Sequence, residues 1–505
     1  MNGEMASLLL PLLVLLPISG AVVTLFLPYG WRALAGCILS GLLLVGVFLL
    51  TVVVLQGDHP SQYASGWEAP LGIVLRADGL AVIFLLLTSL VGFPVGVYAA
   101  MYFRPQEEGK RATELFWPLW FFVWAAMNGI YLSGDLFNLY VLLEVLGLGA
   151  VSLAILSGKT AALVAGLRYL LAALAGSMAY LMGVALLYGA YGVLDMALLQ
   201  ENIIAGRTEA MAMVLLLLGL FLKTALFPFH FWLPAAHASA VPPVSAILSA
   251  LVVKASFYII LRLWVDVFQG SVATVAVAQL LGGLGAVAIV WGSYQALRQN
   301  SLKRMVAHST VSQIGYLFLL FPLISVGLRE AEWLPHAWTG GAYQVLAHGL
   351  AKASMFLSVG VIVLAVGNDR KDSMLNMVGR LPMTTFALAL AGISLIGLPP
   401  SGGFVAKWMF LKASLSSGQW WWVPMIVWGS FLTAGYVFMV LRMAFAPAPR
   451  KRVVRRVPRT LEVMALVLAG LAILIGFRAG EILLLLEGDG RWAEAIDSAG
   501  EGGVE

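Results

Sequence analysis

The sequence contains very little charge and almost no cysteine. Charged residues make up 11% of the 505 residues, hydrophobic residues make up 61%, and the mean hydropathy is +0.94. A water-soluble globular protein needs more charge than this to cover its surface. The one cysteine, Cys37, excludes a disulfide, a thiolate zinc site and a cysteine-ligated iron–sulfur cluster held by this chain alone. We therefore expect an all-α polytopic membrane protein.

The sequence contains many long apolar segments. We count about 14 segments close to the roughly 20 residues that a helix needs to cross a bilayer. The first lies near residues 5–27 and the last near residues 460–487. No basic residue precedes the first run, so we interpret it as a spanning helix rather than a cleaved signal. The short connections predict a single transmembrane domain over residues 1–505.

Basic residues accumulate in alternate loops. About 19 Lys and Arg residues fall on one side of the predicted helices and about 7 on the other. This asymmetry predicts that the basic side is cytoplasmic and that both termini lie outside. It also explains the net charge of +5 without nucleic-acid binding. The basic side comprises residues 104–111, Lys159, residues 298–304, residues 370–371 and the cluster 447–459, which could instead bind lipid or a partner.

Four lysines remain inside apolar helices once the loops are set aside: Lys223, Lys254, Lys352 and Lys407. A lysine at membrane depth is costly unless it is paired, hydrated or neutral, so it is seldom present without a function. Glu144 is the one carboxylate well inside a predicted spanning segment, which makes it the natural counter-charge. A Glu–Lys contact that forms and breaks would switch the lysine between holding and releasing its proton. A permanent pair would only fix the packing of the helices.

Two of these lysines lie beside predicted helix breaks. Lys223 precedes Pro228 in LFLKTALFPFHFWLP, and Lys407 follows Pro399 and Pro400 in LIGLPPSGGFVAKW. A helix interrupted at membrane depth exposes carbonyl groups and admits water, as in transporters built from inverted repeats. Pro/Gly clusters also produce simple kinks, so the coincidence with lysine is what indicates a function. We predict two discontinuous helices.

The histidines supply further candidate relay groups. His348 and Lys352 are four residues apart and share one helix face, which fits neighbouring stations of a hydrated relay at neutral pH. His308 follows a basic loop near a predicted helix start, and is either structural or an access point to the cytoplasm. His230 is a secondary candidate. His230 and His237 are separated by a proline and have no carboxylate nearby, so no metal site is predicted.

The segments that carry these residues combine into a specific set of motifs. They are GDLFNLYVLLEVLGL, LKTALFPFHFWLPAAHASAVPPVSAILSALVVKASFY, LKRMVAHSTVSQIGY, VLAHGLAKASMF and GLPPSGGFVAKW. Together they resemble, over nearly the whole chain, the proton-conducting antiporter-like subunits of respiratory complex I, membrane-bound hydrogenases and Mrp-type cation/proton antiporters. The stretch WEAPLGIVLRADGLAVIFLLLTSLVG is most similar to the D-type subunit of Mrp antiporters and its close relatives.

The resemblance implies a 14-helix fold with two inverted five-helix repeats. On that basis, residues 1–110 form N-terminal helices, residues 111–268 the first repeat and residues 270–446 the second. Residues 447–505 then hold a basic loop, the last helix and a tail.

The resemblance also implies a role for each site residue. Glu144 and Lys223 would be the paired switch, Lys254 the central lysine, His348 the link to the second half and Lys407 the terminal exchange lysine. Many complex I relatives have a glutamate at the position of Lys407. A lysine there is similar to the D-type Mrp subunit and to the quinone-proximal complex I member.

The function implied is that of the D-type subunit of an Mrp-type Na+/proton antiporter, multi-pass in a bacterial or archaeal cell membrane. Its expected partners are other membrane subunits, protons and Na+. A proton-pumping subunit of a complex I-like NADH dehydrogenase or hydrogenase is one alternative, and a stand-alone secondary transporter is another. A redox anchor is disfavoured, because the sequence has no cysteine cluster and no convincing pair of haem-ligand histidines. We predict no cofactor and no enzymatic activity of its own.

Overall fold

The computed structural model describes residues 3–64, 66–103, 110–269, 271–325, 333–447 and 454–487. The predicted basic residues 104–109 and 448–453 and the acidic tail after residue 487 lie outside this part of the chain. The described residues are almost entirely helical, which confirms the all-α fold.

The first half of the chain contains eleven α-helices and one hairpin in the described ranges. Their bounds are α1 Gly3–Phe26, α2 Tyr29–Leu55, β1 Ser61–Tyr63, β2 Val74–Arg76, α3 Gly79–Tyr102, α4 Lys110–Leu132, α5 Leu136–Ala154, α6 Thr160–Tyr191, α7 Met196–Asn202, α8 Arg207–Thr224, α9 Leu233–Ser239, α10 Pro242–Ile247 and α11 Val253–Arg262. π-helical turns at Leu248–Val252 and Leu263–Val267 flank α11.

The second half of the chain is also built from α-helices in the described ranges. Its helices are α12 Val275–Arg298, α13 Leu302–Phe318, α14 Leu320–Ser325, α15 Leu334–Val366, α16 Met377–Arg380, α17 Pro382–Ile396, α18 Gly402–Ser416, α19 Trp422–Phe445, α20 Arg459–Leu474 and α21 Ala479–Glu487. Short 3₁₀ turns occupy Lys371–Met374 and Ile475–Phe477.

Twelve helical segments within the described ranges are long and apolar enough to cross a bilayer. The stretch from α10 through α11 and the helix α15 are almost wholly buried, whereas α1, α2, α12 and α19 keep large apolar side chains exposed. This distribution fits a helical bundle whose outer faces contact lipid. The number fourteen and the two repeats stay predictions.

Both predicted helix breaks are present. The first separates α8 from α9, and the second separates α17 from α18. Gly397 ends α17 with φ +85°, a backbone conformation that suits glycine, and the Ser401 hydroxyl then accepts from the Phe404 N–H at 3.2 Å to begin α18. At the first break, Ala225 has φ +57°, and the Trp232 indole donates to the Leu222 carbonyl at 2.8 Å.

Glycine lets α8 approach α6 closely. A Cβ atom added at Gly219 would lie 2.3 Å from the Gly176 carbonyl oxygen, so no larger residue fits at Gly219 without moving a helix. This contact holds α8, which carries Lys223, against α6. The carboxylate of Asp135, which accepts from the Asn138 N–H at 2.7 Å, fixes the start of the neighbouring helix α5.

Candidate functional site

Glu144 and Lys223 form an ion pair between α5 and α8. The Lys223 Nζ atom lies 3.4 Å from Glu144 Oε1 and also 3.4 Å from the Leu143 carbonyl oxygen. The same carboxylate accepts a hydrogen bond from the Ser177 hydroxyl of α6. Lys223 is 7% exposed and Glu144 is 23% exposed. The pair is long for a charge-assisted hydrogen bond, so a small displacement of either helix would open it.

A small cavity lies beside Lys223. It has room for on the order of one water molecule. Its walls come from α5, α6, α8 and the α10–α11 stretch, at Leu143, Leu146, Gly147, Tyr169, Ala173, Lys223, Val252 and Ser256. Val252 and Ser256 flank Lys254 in sequence, so the cavity points from the ion pair towards the helix of the central lysine.

Lys254 is fully buried at the start of α11. Its Nζ atom donates to the Ala250 carbonyl at 2.6 Å and lies 3.4 Å from the Ser249 carbonyl. Both acceptors belong to the π-helical turn, where the widened backbone presents carbonyls that an α-helix would use internally. The ammonium group is thus solvated by main-chain oxygen, and no carboxylate pairs with it among the described residues.

His348 and Lys352 are buried side by side on α15. Lys352 donates to the Val306 carbonyl of α13 at 3.0 Å and contacts the Ser309 hydroxyl. Neither ring nitrogen of His348 has a hydrogen-bond partner in the described part of the chain. Lys254 and Lys352 both act electrostatically on the His348 ring, so the three groups form one cluster.

His237 also lies in this cluster. The sequence indicated no role for His237 in a proton relay. Its ring is fully buried, stacks on Phe356 at 5.2 Å and lies within electrostatic range of Lys352. Neither of its ring nitrogens has a partner in the described ranges. Because His237 lies on α9 and Lys352 on α15, only the packing of the two halves brings them together.

Lys407 of α18 reaches back to the broken end of α17. Its Nζ atom donates to the Leu395 and Ile396 carbonyls, both at 2.9 Å, and to the Ser430 hydroxyl of α19 at 3.0 Å. It also lies 4.5 Å from the centre of the Tyr316 ring. The carbonyl groups freed by the break therefore bind the lysine.

His308 and His230 lie apart from the main series and close to each other. His308 is partly buried on α13, and His230 lies in the segment between α8 and α9, 5.6 Å from the Phe227 ring. In each, the Nδ1 atom has no partner among described residues. The described residues contain no group of three His, Cys, Asp or Glu side chains placed to hold a metal ion.

A second charged cluster lies at the far end of α11. Arg262, which the division of basic residues between loops and lysine-bearing helices placed outside the spanning helices, is 2% exposed; it pairs with Asp78 and lies 3.2 Å from Asp266. Asp266 also accepts from Arg76 of β2 at 2.8 Å, and the Arg262 Nε atom donates to the Tyr258 hydroxyl at 2.8 Å. The sequence did not indicate this network, because Arg76 is supplied by a hairpin that has no apolar periodicity and Asp78 by the residue that precedes α3.

These features define a class of protein: a helical membrane protein with buried lysines next to broken or widened helices. A model of the family described as NADH:quinone oxidoreductase/Mrp antiporter, transmembrane region, matches residues 133–433. This range includes Glu144, all four buried lysines and His348. The chain belongs to this family of antiporter-type transport subunits.

Subunits of an NADH:quinone oxidoreductase and of cation/proton antiporters, the two kinds of protein in the family description, are similar to this chain. The N-type subunit of the NADH-quinone oxidoreductase of Desulforudis audaxviator is 34% identical over 463 residues, covering 88% of this chain and 89% of that protein. The D-type subunit of the Na(+)/H(+) antiporter of Bacillus subtilis is 29% identical and covers 86% of each chain. A chain of the Mrp complex from Dietzia sp. DQ12-45-1b superimposes with a TM-score of 0.87 at 25% identity, covering 99% of both chains.

Proposed function

We propose that this chain is the proton-translocating, D-type subunit of a multisubunit Mrp-like antiporter that exchanges a monovalent cation, Na+ in the first instance, for protons. The observation that carries the proposal is the long Glu144–Lys223 ion pair, followed by further lysines whose partners in the described structure are neutral oxygens. The nearly full-length similarity to a chain of the Mrp complex supports this assignment.

The lysines are suited to hold a proton without trapping it. Main-chain carbonyls stabilise an ammonium group by hydrogen bonds, but they add no negative charge that would keep it protonated. When Glu144 pairs with Lys223, that lysine holds its proton. When the pair opens, Lys223 is left in a mostly buried site and releases the proton towards the cavity and Lys254.

His348 is suited to link Lys254 with Lys352. A neutral imidazole accepts a proton at one ring nitrogen and gives one up at the other. Because both nitrogens lack a partner in the described residues, no fixed hydrogen bond holds the ring in one tautomer. Lys407 would then exchange the proton with one face of the membrane through the break after α17.

The orientation proposed from the basic loops has the cytoplasm at the α12–α13 connection. There Ser301 bridges to Arg370, which places two basic loops together, and Lys303 donates to the Ala240 carbonyl at 2.8 Å. Both termini would lie outside a bacterial or archaeal cell membrane. Substituting Cys37 by serine and adding single cysteines at exposed Lys159 or Gln56 gives the test. Only a cysteine at Gln56 should react with an impermeant thiol reagent applied from outside the cell.

The two repeats are proposed as residues 111–268 and 270–446. Each range contains one broken helix, and a lysine lies at each break: Lys223 in the first and Lys407 in the second. In transporters of this design, such breaks occupy related positions of the two repeats.

The decisive experiment removes the acid of the switch. Glu144→Ala should abolish cation-driven proton movement in inverted vesicles that contain the whole complex, because Lys223 then loses its counter-charge. A pH-sensitive dye measures the movement, and the exposed Glu114→Ala variant is the matched control. Proton flux retained by Glu144→Ala in a fully assembled complex would overturn the proposed switch.

A second candidate is a proton-pumping subunit of an NADH:quinone oxidoreductase-like complex. The similarity to an N-type subunit of such an enzyme over 88% of this chain favours it. The driving force separates the two candidates. In the same vesicles, proton movement started by a Na+ or K+ gradient supports the antiporter, and movement started only by electron donors supports the oxidoreductase.

A further inference from the structure

Polar side chains fill the space between Lys352 and Lys407. On α13, Ser309, Gln313 and Tyr316 follow one another at the i, i+4 and i+7 spacing, which places them on one helix face. Ser309 contacts Lys352 at one end of this face, and the Tyr316 ring contacts Lys407 at the other. The face therefore runs from one buried lysine to the next.

Gln313 lies in the middle of this face and binds two neighbouring helices. Gln344 of α15 donates through Nε2 to Gln313 Oε1 at 3.1 Å, and Gln313 Nε2 lies 3.4 Å from the Thr433 hydroxyl of α19. Gln313 is 1% exposed and Gln344 is 2% exposed. Two paired amides are unusual in a helical membrane core, where each polar group must find a partner.

Tyr436 lies next to the amide pair, and its hydroxyl group has polar neighbours but no hydrogen bond of normal geometry to them. The residue is fully buried on α19, and its hydroxyl faces Ser309, Gln313 and Thr433. It makes no hydrogen bond of normal geometry with any residue that the structure describes. A buried hydroxyl whose neighbours are poorly aligned for hydrogen bonding is unfavourable, so this arrangement favours a rotation or a bridging water that completes the contact.

We propose that Tyr436 and the Gln313–Gln344 amide pair form a switchable proton connection between Lys352 and Lys407. The inference rests on the proposed function and assigns three residues to it. In the paired arrangement the amides accept at oxygen and donate at nitrogen, and a neutral amide does not pass a proton on. The connection is then closed.

The connection opens when the Tyr436 hydroxyl, or a water beside it, bonds to Ser309 and Thr433 in place of Gln313. Ser309 then accepts a proton from the Lys352 ammonium and gives its own hydroxyl proton to the next oxygen. Each hydroxyl on the path repeats this exchange, and the Ser430 hydroxyl, 3.0 Å from Lys407 Nζ, gives the last proton to the neutral amine of Lys407. Lys352 loses one proton and Lys407 gains one, so no other reactant is needed.

Removing one oxygen atom tests the connection. Tyr436→Phe keeps the ring and its packing but deletes the hydroxyl, and we expect proton flux through the assembled complex to fall by about tenfold or more. The matched control is Ser312→Ala on the same helix as Gln313; this hydroxyl pairs with Ser293 of α12 at 2.8 Å, away from the path. Flux within about twofold of the parent in Tyr436→Phe would overturn the proposal.

Two substitutions of Gln313 separate a proton connection from a packing role. Gln313→Met keeps the side-chain length but cannot pair with Gln344, so the connection can no longer close, and protons should leak through the assembled complex when no cation gradient is applied. Gln313→Glu places a titratable group beside the path, so flux should persist with an altered pH profile. An unchanged pH profile in Gln313→Glu, together with no leak in Gln313→Met, would show a purely structural amide pair.

The outcome is separable from that of the proposed function. If Glu144→Ala abolishes flux while Tyr436→Phe does not, the proposed relay is supported and this connection is wrong. If Glu144→Ala leaves proton flux intact, the proposed function itself is wrong.

Discussion

At the scale of single residues, the buried lysines share a type of partner rather than a counter-charge. Each one donates to, or lies next to, a main-chain carbonyl. The carbonyls are those of Leu143 for Lys223, Ala250 for Lys254, Val306 for Lys352, and Leu395 and Ile396 for Lys407. Neutral acceptors lower the cost of a buried ammonium and still allow the proton to leave, which a close carboxylate would oppose.

The first prediction concerns Lys254. Lys254→Arg should abolish proton flux although the positive charge is kept, because arginine does not release its proton near neutral pH. Flux in inverted vesicles is the measurement, and Lys159→Arg at the exposed start of α6 is the control. A normal rate in Lys254→Arg would mean that Lys254 is an electrostatic support rather than a proton carrier.

The second prediction concerns Lys407. Lys407→Ala should remove coupled transport, since no other titratable side chain contacts the freed carbonyls of α17 in the described structure. Lys407→Glu should keep measurable but reduced activity, because a titratable group remains at the break. The same vesicle assay compares the two variants. Wild-type flux in Lys407→Ala would place the exit elsewhere, with Lys352 as the next candidate.

At the scale of helices, the sequence predicted the breaks that proline and glycine produce, but it did not predict the π-helical turns. Pro228 and Pro400 predict the helix breaks directly, because proline interrupts a helix. The turn at Leu248–Val252 has the sequence LSALV, which is compatible with an ordinary α-helix, so its widening depends on tertiary packing. His237 was missed for a related reason, because its partner Lys352 is supplied by a helix more than a hundred residues away.

The third prediction concerns the break that holds Lys407. A Cβ atom at Gly403 would lie 1.8 Å from the Ser394 carbonyl oxygen, so Gly403→Ala must push α18 away from α17. We expect a loss of about 2 kcal/mol or more in stability, as for other overpacked cores, together with lower flux. Thermal unfolding in detergent measures the first effect. Gly470→Ala on α20 is the control, since a Cβ atom there meets nothing within 4 Å, and an equal Tm for both variants would contradict the clash.

At the scale of the whole molecule, composition alone predicted a helical membrane protein, because a chain this apolar can satisfy its backbone in lipid only as helices or as a closed barrel. The motifs predicted the family. What neither could predict is how distant segments meet. The Arg262 network joins β2, the start of α3 and the end of α11, and its members Asp78 and Arg262 are 184 residues apart in the chain.

The last prediction tests whether that network holds these segments together. Arg262→Met removes a guanidinium that is 2% exposed, so the Asp78 carboxylate, at 5% exposure, loses its bond to Arg262, whereas Asp266, at 6% exposure, keeps its bond to Arg76. Removing one partner of a buried ion pair costs about 3–5 kcal/mol, so the Tm in detergent should fall markedly, whereas a pair on the surface contributes about 0–1 kcal/mol. Arg370→Met is therefore the matched control, because Arg370 is 72% exposed and lies 3.6 Å from a largely exposed Asp372. If both variants unfold at the parent temperature, the Arg262 network does not stabilise the fold. A fall confined to Arg262→Met, with flux retained at low temperature, would assign the network to stability and leave proton transfer to the lysines.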